Sequence, residues 1–326
     1  MSKGQVKYIL KKVLSLLITL YIVITINFFL FRIMPGNAVR LMFLDPRVSK
    51  ENIDLMMKKF GLDKPLWMQY LIYIRETVSG NLGISFWKNE PVINIIMSRL
   101  PQTIILLTIA IIVSTSLGII LGAYSAWRKG SLTDSVILGL SLITYSIPSF
   151  WNGILLLLVF SFWLNLFPLG GTGSIGISHA SLMEQILDFA WHSTLPLITL
   201  ILYYLGGYVM IMRNSMLDVL SEDYIVAAYA KGLSDKRILW RHAVRNALLP
   251  VTTVTALNFG WMIAGVIEVE VVFSWPGVGR LVYDAIIQRD YPLLQGAFLI
   301  IAISVIIANF ISDIIYGFLD PRIRKG

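Results

Sequence analysis

There is no cysteine among the 326 residues of this chain. Disulfides, thiolate chemistry and sulfur-ligated metal or iron–sulfur sites are therefore excluded. Charge is scarce as well: 14% of residues are Asp, Glu, Lys or Arg, against about 25% in an average globular protein. Histidine occurs only at His179, His192 and His242, too few and too scattered for a metal site. No Gly-x4-Gly-Lys-Ser/Thr run occurs, so the chain carries no phosphate-cradling loop of its own. HExxH, GxSxG and paired intramembrane carboxylates are missing too, which leaves a membrane enzyme without a catalytic constellation. Gly171 to Gly176 spells GxGxxG. A dinucleotide site needs a strand before that motif and a helix opening at its end, whereas an apolar run precedes it here. No catalytic, cofactor or metal residue is assigned.

What the chain has is apolar length. Hydrophobic residues make up 56%, more than a soluble core could hide, so the solvent for much of the chain is lipid. A helix needs about 20 mostly apolar residues to cross a bilayer. Charge-free windows predict spans at about 13–31, 100–127, 135–165, 193–213, 248–268 and 292–313. The third is expected to kink at Pro148, where the ring removes a backbone hydrogen bond. The first is long for a signal-peptide core and no small-residue cleavage site follows it, so it reads as an uncleaved span. The expected fold is all-α integral membrane, six transmembrane helices with an extracytoplasmic insert after the first.

Lys and Arg orient those spans. Placed inside, the N-terminus carries four, the 128–129 turn two, the segment after the fourth span six and the C-terminal tail three. The short outside loops carry none (166–192) and two (Arg280, Arg289). Ten more lie between Arg32 and Arg99, in a segment long enough to translocate regardless of charge. Both termini are therefore expected inside. The net charge of +8 sits at the ends of apolar runs and does not point to nucleic acid. The organisation expected is a tail and first helix (1–33), an extracytoplasmic insert (34–99), a membrane domain (100–320) with a cytoplasmic loop (214–247), and a terminal tail (321–326). Within the insert, Ser49 to Phe60 predicts a short amphipathic helix stopped by Gly61.

Glu268, Glu270 and Asp313 lie near span ends, where interfacial solvation explains them as well as a substrate path does. Asn27 in the first span is expected to make an interhelical hydrogen bond.

The loop between the fourth and fifth spans is the unusual stretch. Residues 223–250 read DYIVAAYAKGLSDKRILWRHAVRNALLP, with Lys231, Lys236, Arg237, Arg241 and Arg245 between two apolar runs. Ser221 predicts an N-cap, and Glu222 and Asp223 complement the positive end of the helix dipole. Gly232 predicts the stop. A second helix is expected from Ser234, with Arg237, Arg241 and Arg245 forming one basic stripe facing solvent or headgroups. Ala227 and Ala228 either let another surface approach closely or are simply good helix formers. Spacing alone leaves both readings open.

This stretch resembles the coupling loop of permease subunits of ABC importers. Ala227-Ala228, Gly232 and Leu248-Leu249-Pro250 match that pattern. Val226 stands where the general pattern has Glu, and the gap to Pro250 is long; both are typical of the dipeptide/oligopeptide/nickel subfamily. FRIMPGNAV (31–39), FGLDKPLWMQY (60–70), GNLGISF (80–86), SIPSFW (146–151), FSWPGVGRL (273–281), RDYPLLQG (289–296) and LDPRIR (319–324) follow the same family in order.

The resemblance implies a permease subunit in a bacterial or archaeal plasma membrane, forming half of a passage for di- or oligopeptides. Nickel or another metal chelate is the alternative cargo, and an ion-gradient-driven secondary transporter the alternative class. The resemblance implies four kinds of partner: a second homologous permease, two ATPase subunits that hold ATP and magnesium, an extracytoplasmic solute-binding protein, and the lipid membrane. It assigns ATPase coupling to Ala227, Ala228 and Gly232, with Tyr224, Lys231 and Arg237 beside them.

Overall fold

A computed structural model describes residues 3–33, 63–174, 176, 181–262 and 266–319, with the side chains of all but 3–9, 33 and 311–319. Every regular element among the described residues is helical, and one isolated bridge joins Ile84 to Pro91. Chain order gives α1 (Lys3–Ile33), α2 (Leu66–Val78), α3 (Val92–Trp127), α4 (Leu132–Ser146) and α5 (Ser149–Leu156), the last continued by a π-helical segment, Leu157–Trp163. Then come α6 (Leu182–Leu220), α7 (Asp223–Ala230) and α8 (Asp235–Arg237), which runs through a π-helical turn, Ile238–Ala243, into α9 (Val244–Trp261). α10 (Ile267–Val272), α11 (Val278–Ile287) and α12 (Tyr291–Leu319) complete the order. The amphipathic helix expected at 49–60 and the tail at 321–326 lie outside the described residues.

Helices dominate because a lipid-facing backbone must satisfy its own hydrogen bonds. Among the described residues four helices are long and apolar enough to cross a membrane: Leu10–Arg32, Val92–Trp127, Leu182–Leu220 and Tyr291–Phe310. α4 with α5 and its π-helical continuation makes a fifth if counted as one span. That pair is bent by 99°, a break rather than the kink expected. Pro148 forces Ile147 into an extended conformation (φ −83°, ψ 128°), and Pro148 itself (φ −56°, ψ 140°) opens α5. The expected fifth span, 248–268, is also interrupted. α9 ends at Trp261 after 18 residues, residues 263–265 are not described, and Asn246, Thr252, Thr253, Thr255 and Asn258 dilute its apolar character. The six-span expectation therefore exceeds what the described helices establish.

The chain divides into two compact units, 1–101 with 277–326, and 102–276. In the first, α1 packs on α12: Asn27 Nδ2 donates to Gln295 O (3.1 Å) and to Tyr73 Oη of α2 (3.0 Å). This is the interhelical role expected of Asn27. Val92, Ile95, Ile96, Leu281, Val282 and Ala297 fill its core.

In the second unit, glycines let α3, α4 and α6 touch backbone to backbone. A Cβ on Gly118 would stand 2.4 Å from Tyr208 Cβ, and one on Gly122 2.7 Å from Val209 O. A Cβ on Gly206 would meet Ser141 O of α4 at 2.3 Å. Small residues four apart serve membrane helices in this way because close backbone approach and dispersion drive their association.

Candidate partner-docking site

α7 is eight residues long, too short to be stable alone. Its stability comes from packing. Ile225 and Ala228 are buried in a cluster with Ala123 and Ala126 of α3, Tyr208, Met212 and Met216 of α6, and Ile238, Ala243, Val244, Ala247 and Val251. One apolar core thus runs from two long helices into the short one, and any displacement of α7 must move those side chains.

Both ends of α7 are set by backbone chemistry. At the start, the residue before the helix is Glu222, and its side chain makes no capping bond. Ser221, expected as the N-cap, instead closes α6, its hydroxyl donating to Asp218 O at 2.7 Å. A two-residue connection leaves it on the older helix. At the finish, Gly232 N donates to Tyr229 O (2.9 Å) and Leu233 N to Ala228 O (3.3 Å). With Gly232 at φ +71° this is a complete Schellman cap, as expected of that glycine. Leu233 packs on the same cluster.

The two alanines part company. Ala227 is exposed, whereas Ala228 is only 6% exposed and faces the chain's own core. The smallness of Ala228 serves the close seating of α7 on its own chain. The outward face comprises Tyr224, Val226, Ala227, Tyr229 and Ala230. Tyr224 Oη accepts from Asn246 Nδ2 at 2.7 Å, fixing the ring. Desolvation and then the Asp235 carboxylate hold the Tyr229 hydroxyl above its ordinary range.

Lys231 and Arg237 are exposed beside this face. Arg241 and Arg245 are exposed too, but the π-helical turn at 238–243 widens the spacing of the expected stripe. Pro250 lies inside α9. Its ring disturbs the preceding turn, and there Ser215 Oγ of α6 donates to Ala247 O at 2.9 Å.

The described residues contain no group of three His, Asp or Glu able to hold a metal ion. His192 Nδ1 lies 2.9 Å from Asp188 O. Ser174, in the GxGxxG stretch, turns both N–H and hydroxyl to the Asp188 carboxylate (2.7 and 2.8 Å). Glu268 accepts from Ser149 Oγ at 3.0 Å, and Glu270, 1% exposed, from Thr103 Oγ1 at 2.7 Å. His179 and the Asp313 side chain are not described.

The family described as "Binding-protein-dependent transport system inner membrane component" matches residues 118–325, and its N-terminal companion matches 5–107. The chain belongs to this family. It is 40% identical to the dipeptide transport system permease protein DppB of Escherichia coli K12, over 98% of this chain and 99% of that one. The oligopeptide transport system permease protein AppB of Bacillus subtilis 168 is 37% identical, over 97% and 99%. A probable peptide ABC transporter permease, y4tP of Sinorhizobium fredii, is 34% identical, over 97% and 99%. The resemblance to ABC-importer permeases seen in the motifs is therefore genuine kinship, and the secondary-transporter alternative falls.

The fold brings together motifs that look unrelated along the sequence. GNLGISF and RDYPLLQG meet: Asp290, fully buried, accepts from Ser85 Oγ, Phe86 N (3.2 Å), Trp87 N (3.2 Å) and Leu293 N (3.2 Å). SIPSFW is the broken turn between α4 and α5. FSWPGVGRL buries Trp275, whose Nε1 donates to Gln102 O at 3.2 Å. Sequence reasoning overlooked Asp290, Asp134 and the pair Gly118/Gly122. Only the GIILG spacing at 118–122 advertised itself.

Proposed function

We propose that this chain is a permease subunit of an ATP-driven importer, forming half of a membrane passage for di- or oligopeptides. It works with a second permease, two ATPases that carry ATP and magnesium, and an extracytoplasmic binding protein. Both termini and residues 214–247 face the cytoplasm, and 34–99 faces outward. α7 seats in a groove of one ATPase through Tyr224, Val226, Ala227 and Tyr229, flanked by Lys231 and Arg237.

The observation that carries this reading is the shared core beneath α7. The helix buries Ile225 and Ala228 against α3, α6 and α9 while leaving its other face free. A push on that face is thereby delivered to long apolar helices. Gly232 shapes the end of the same helix. The peptide assignment rests on the names of the relatives.

The test is uptake of a labelled dipeptide into vesicles bearing the co-expressed transporter. The reading expects uptake to require ATP inside and binding protein outside, and to survive collapse of the proton and sodium gradients. Uptake driven by an ion gradient without ATP would overturn it.

A further inference from the structure

We propose that α2 is an interfacial membrane helix whose outer face lies in lipid, not a helix of a water-exposed insert. This rests on reading α1 as a membrane span. α2 meets α1 below that span's end. Tyr70 Oη lies 2.7 Å from Thr25 Oγ1, and the Tyr70 and Tyr73 rings stand 5.2 and 5.4 Å from the Phe28 ring. Phe28 is four residues before Arg32, the last residue of the apolar stretch of α1, or about 6 Å at 1.5 Å per residue. That is the depth at which amphipathic helices lie in the headgroup–acyl boundary.

The face of α2 turned away from α1 is apolar and uncovered. Trp67 and Leu71 are 62% and 57% exposed, Leu66 and Val78 are exposed as well, and α2 has no buried residue. Trp67, Leu71, Arg75 and Val78 recur at helical spacing, a stripe with one long cation in it. Arg75 can extend its guanidinium to a phosphate while its stem stays apolar. Lys64 precedes the helix. α1 presents an uncovered apolar surface of its own, with Tyr21, Ile22, Ile26, Phe29 and Leu30 exposed, and it reaches α2 where the Phe29 ring stacks on Tyr70 at 6.0 Å. Lipid is the occupant that fits both, because a single fluid medium covers them without a separate complementary surface.

The absence of native cysteine makes the test direct. A nitroxide is attached at Leu71→Cys, with Lys88→Cys as the aqueous reference and Ile18→Cys as the reference within α1. The full transporter is reconstituted in bilayers of phosphatidylethanolamine and phosphatidylglycerol, and collision rates with oxygen and with a water-soluble nickel chelate are measured. The proposal expects position 71 to resemble position 18: oxygen collisions dominate and the chelate is excluded. If 71 behaves like 88 while 18 remains in lipid, α2 is aqueous and the inference fails, though the permease reading stands. If 71 is shielded from both reagents, a protein partner covers α2, and the inference fails equally. If 18 itself collides with the chelate, the membrane-span reading fails with it.

Discussion

Arg213 grips Asp134 at two points, Nε to Oδ1 at 2.8 Å and Nη2 to Oδ2 at 2.9 Å. The pair joins α4 to α6. Asp134 also accepts from Ser125 Oγ of α3 and from Gly130 N (3.0 Å). Three helices converge on one buried carboxylate, and the Arg213 that grips it stands seven residues before the end of α6. The planar fork of an arginine suits such a site and an ammonium does not.

Arg213→Gln should therefore destabilise the folded chain by about 3–5 kcal/mol, because it strands a buried carboxylate. Asp134→Asn strands the guanidinium in turn. The double variant should lose less than the two single losses added, since neither charge is then unpaired. Thermal unfolding in detergent, followed by size-exclusion recovery, measures all three. Single variants as stable as the parent would show that the pair contributes nothing.

Asp290 should be equally unforgiving. Three of its four donors, Ser85 Oγ, Phe86 N and Trp87 N, tie the 84–91 turn to the start of α12. Asp290→Ala leaves Ser85, Phe86 N and Trp87 N without their acceptor, at about 1–3 kcal/mol for such a buried group. The expected readout is faster tryptic cleavage after Lys88 in the purified chain. Unchanged cleavage would mean that Asp290 does not hold the turn.

Gly232 separates backbone strain from crowding. No atom lies within 4 Å of a Cβ built there, yet φ is +71°. Gly232→Val should weaken the cap by about 1–2 kcal/mol through left-handed backbone alone. Gly232→Asn should be mild, because asparagine tolerates that conformation. Peptide uptake should fall for valine and persist for asparagine. Equal loss for both would mean that side-chain bulk, not φ, is what the position forbids.

These outcomes also mark what the sequence conveys. Composition and charge-free windows place the long helices because lipid imposes one uniform demand on every span. Gly232 is legible because positive φ at a helix end selects glycine. Asp134, Asp290 and Gly206 are not legible, because their partners lie 79, 205 and 65 residues away along the chain. Ser221 misleads because two helices, two residues apart, compete for its hydroxyl. The burial of Ala228 is not legible either, because an alanine seated inward and one turned outward look alike in sequence.

The alanine pair carries the most direct test of α7 as the docking element. Ala227→Trp alters only the outward face. It should express, insert and melt like the parent, yet bind the ATPases about 5- to 150-fold more weakly if docking loses roughly 1–3 kcal/mol. Ala228→Trp overfills the chain's own core and should lower thermal stability. The measurement is ATPase co-purification per folded permease for both variants, normalised to size-exclusion recovery. The account predicts a folded Ala227→Trp that has lost its ATPases. A folded Ala227→Trp that retains them fully would contradict the assignment of α7 as the docking element.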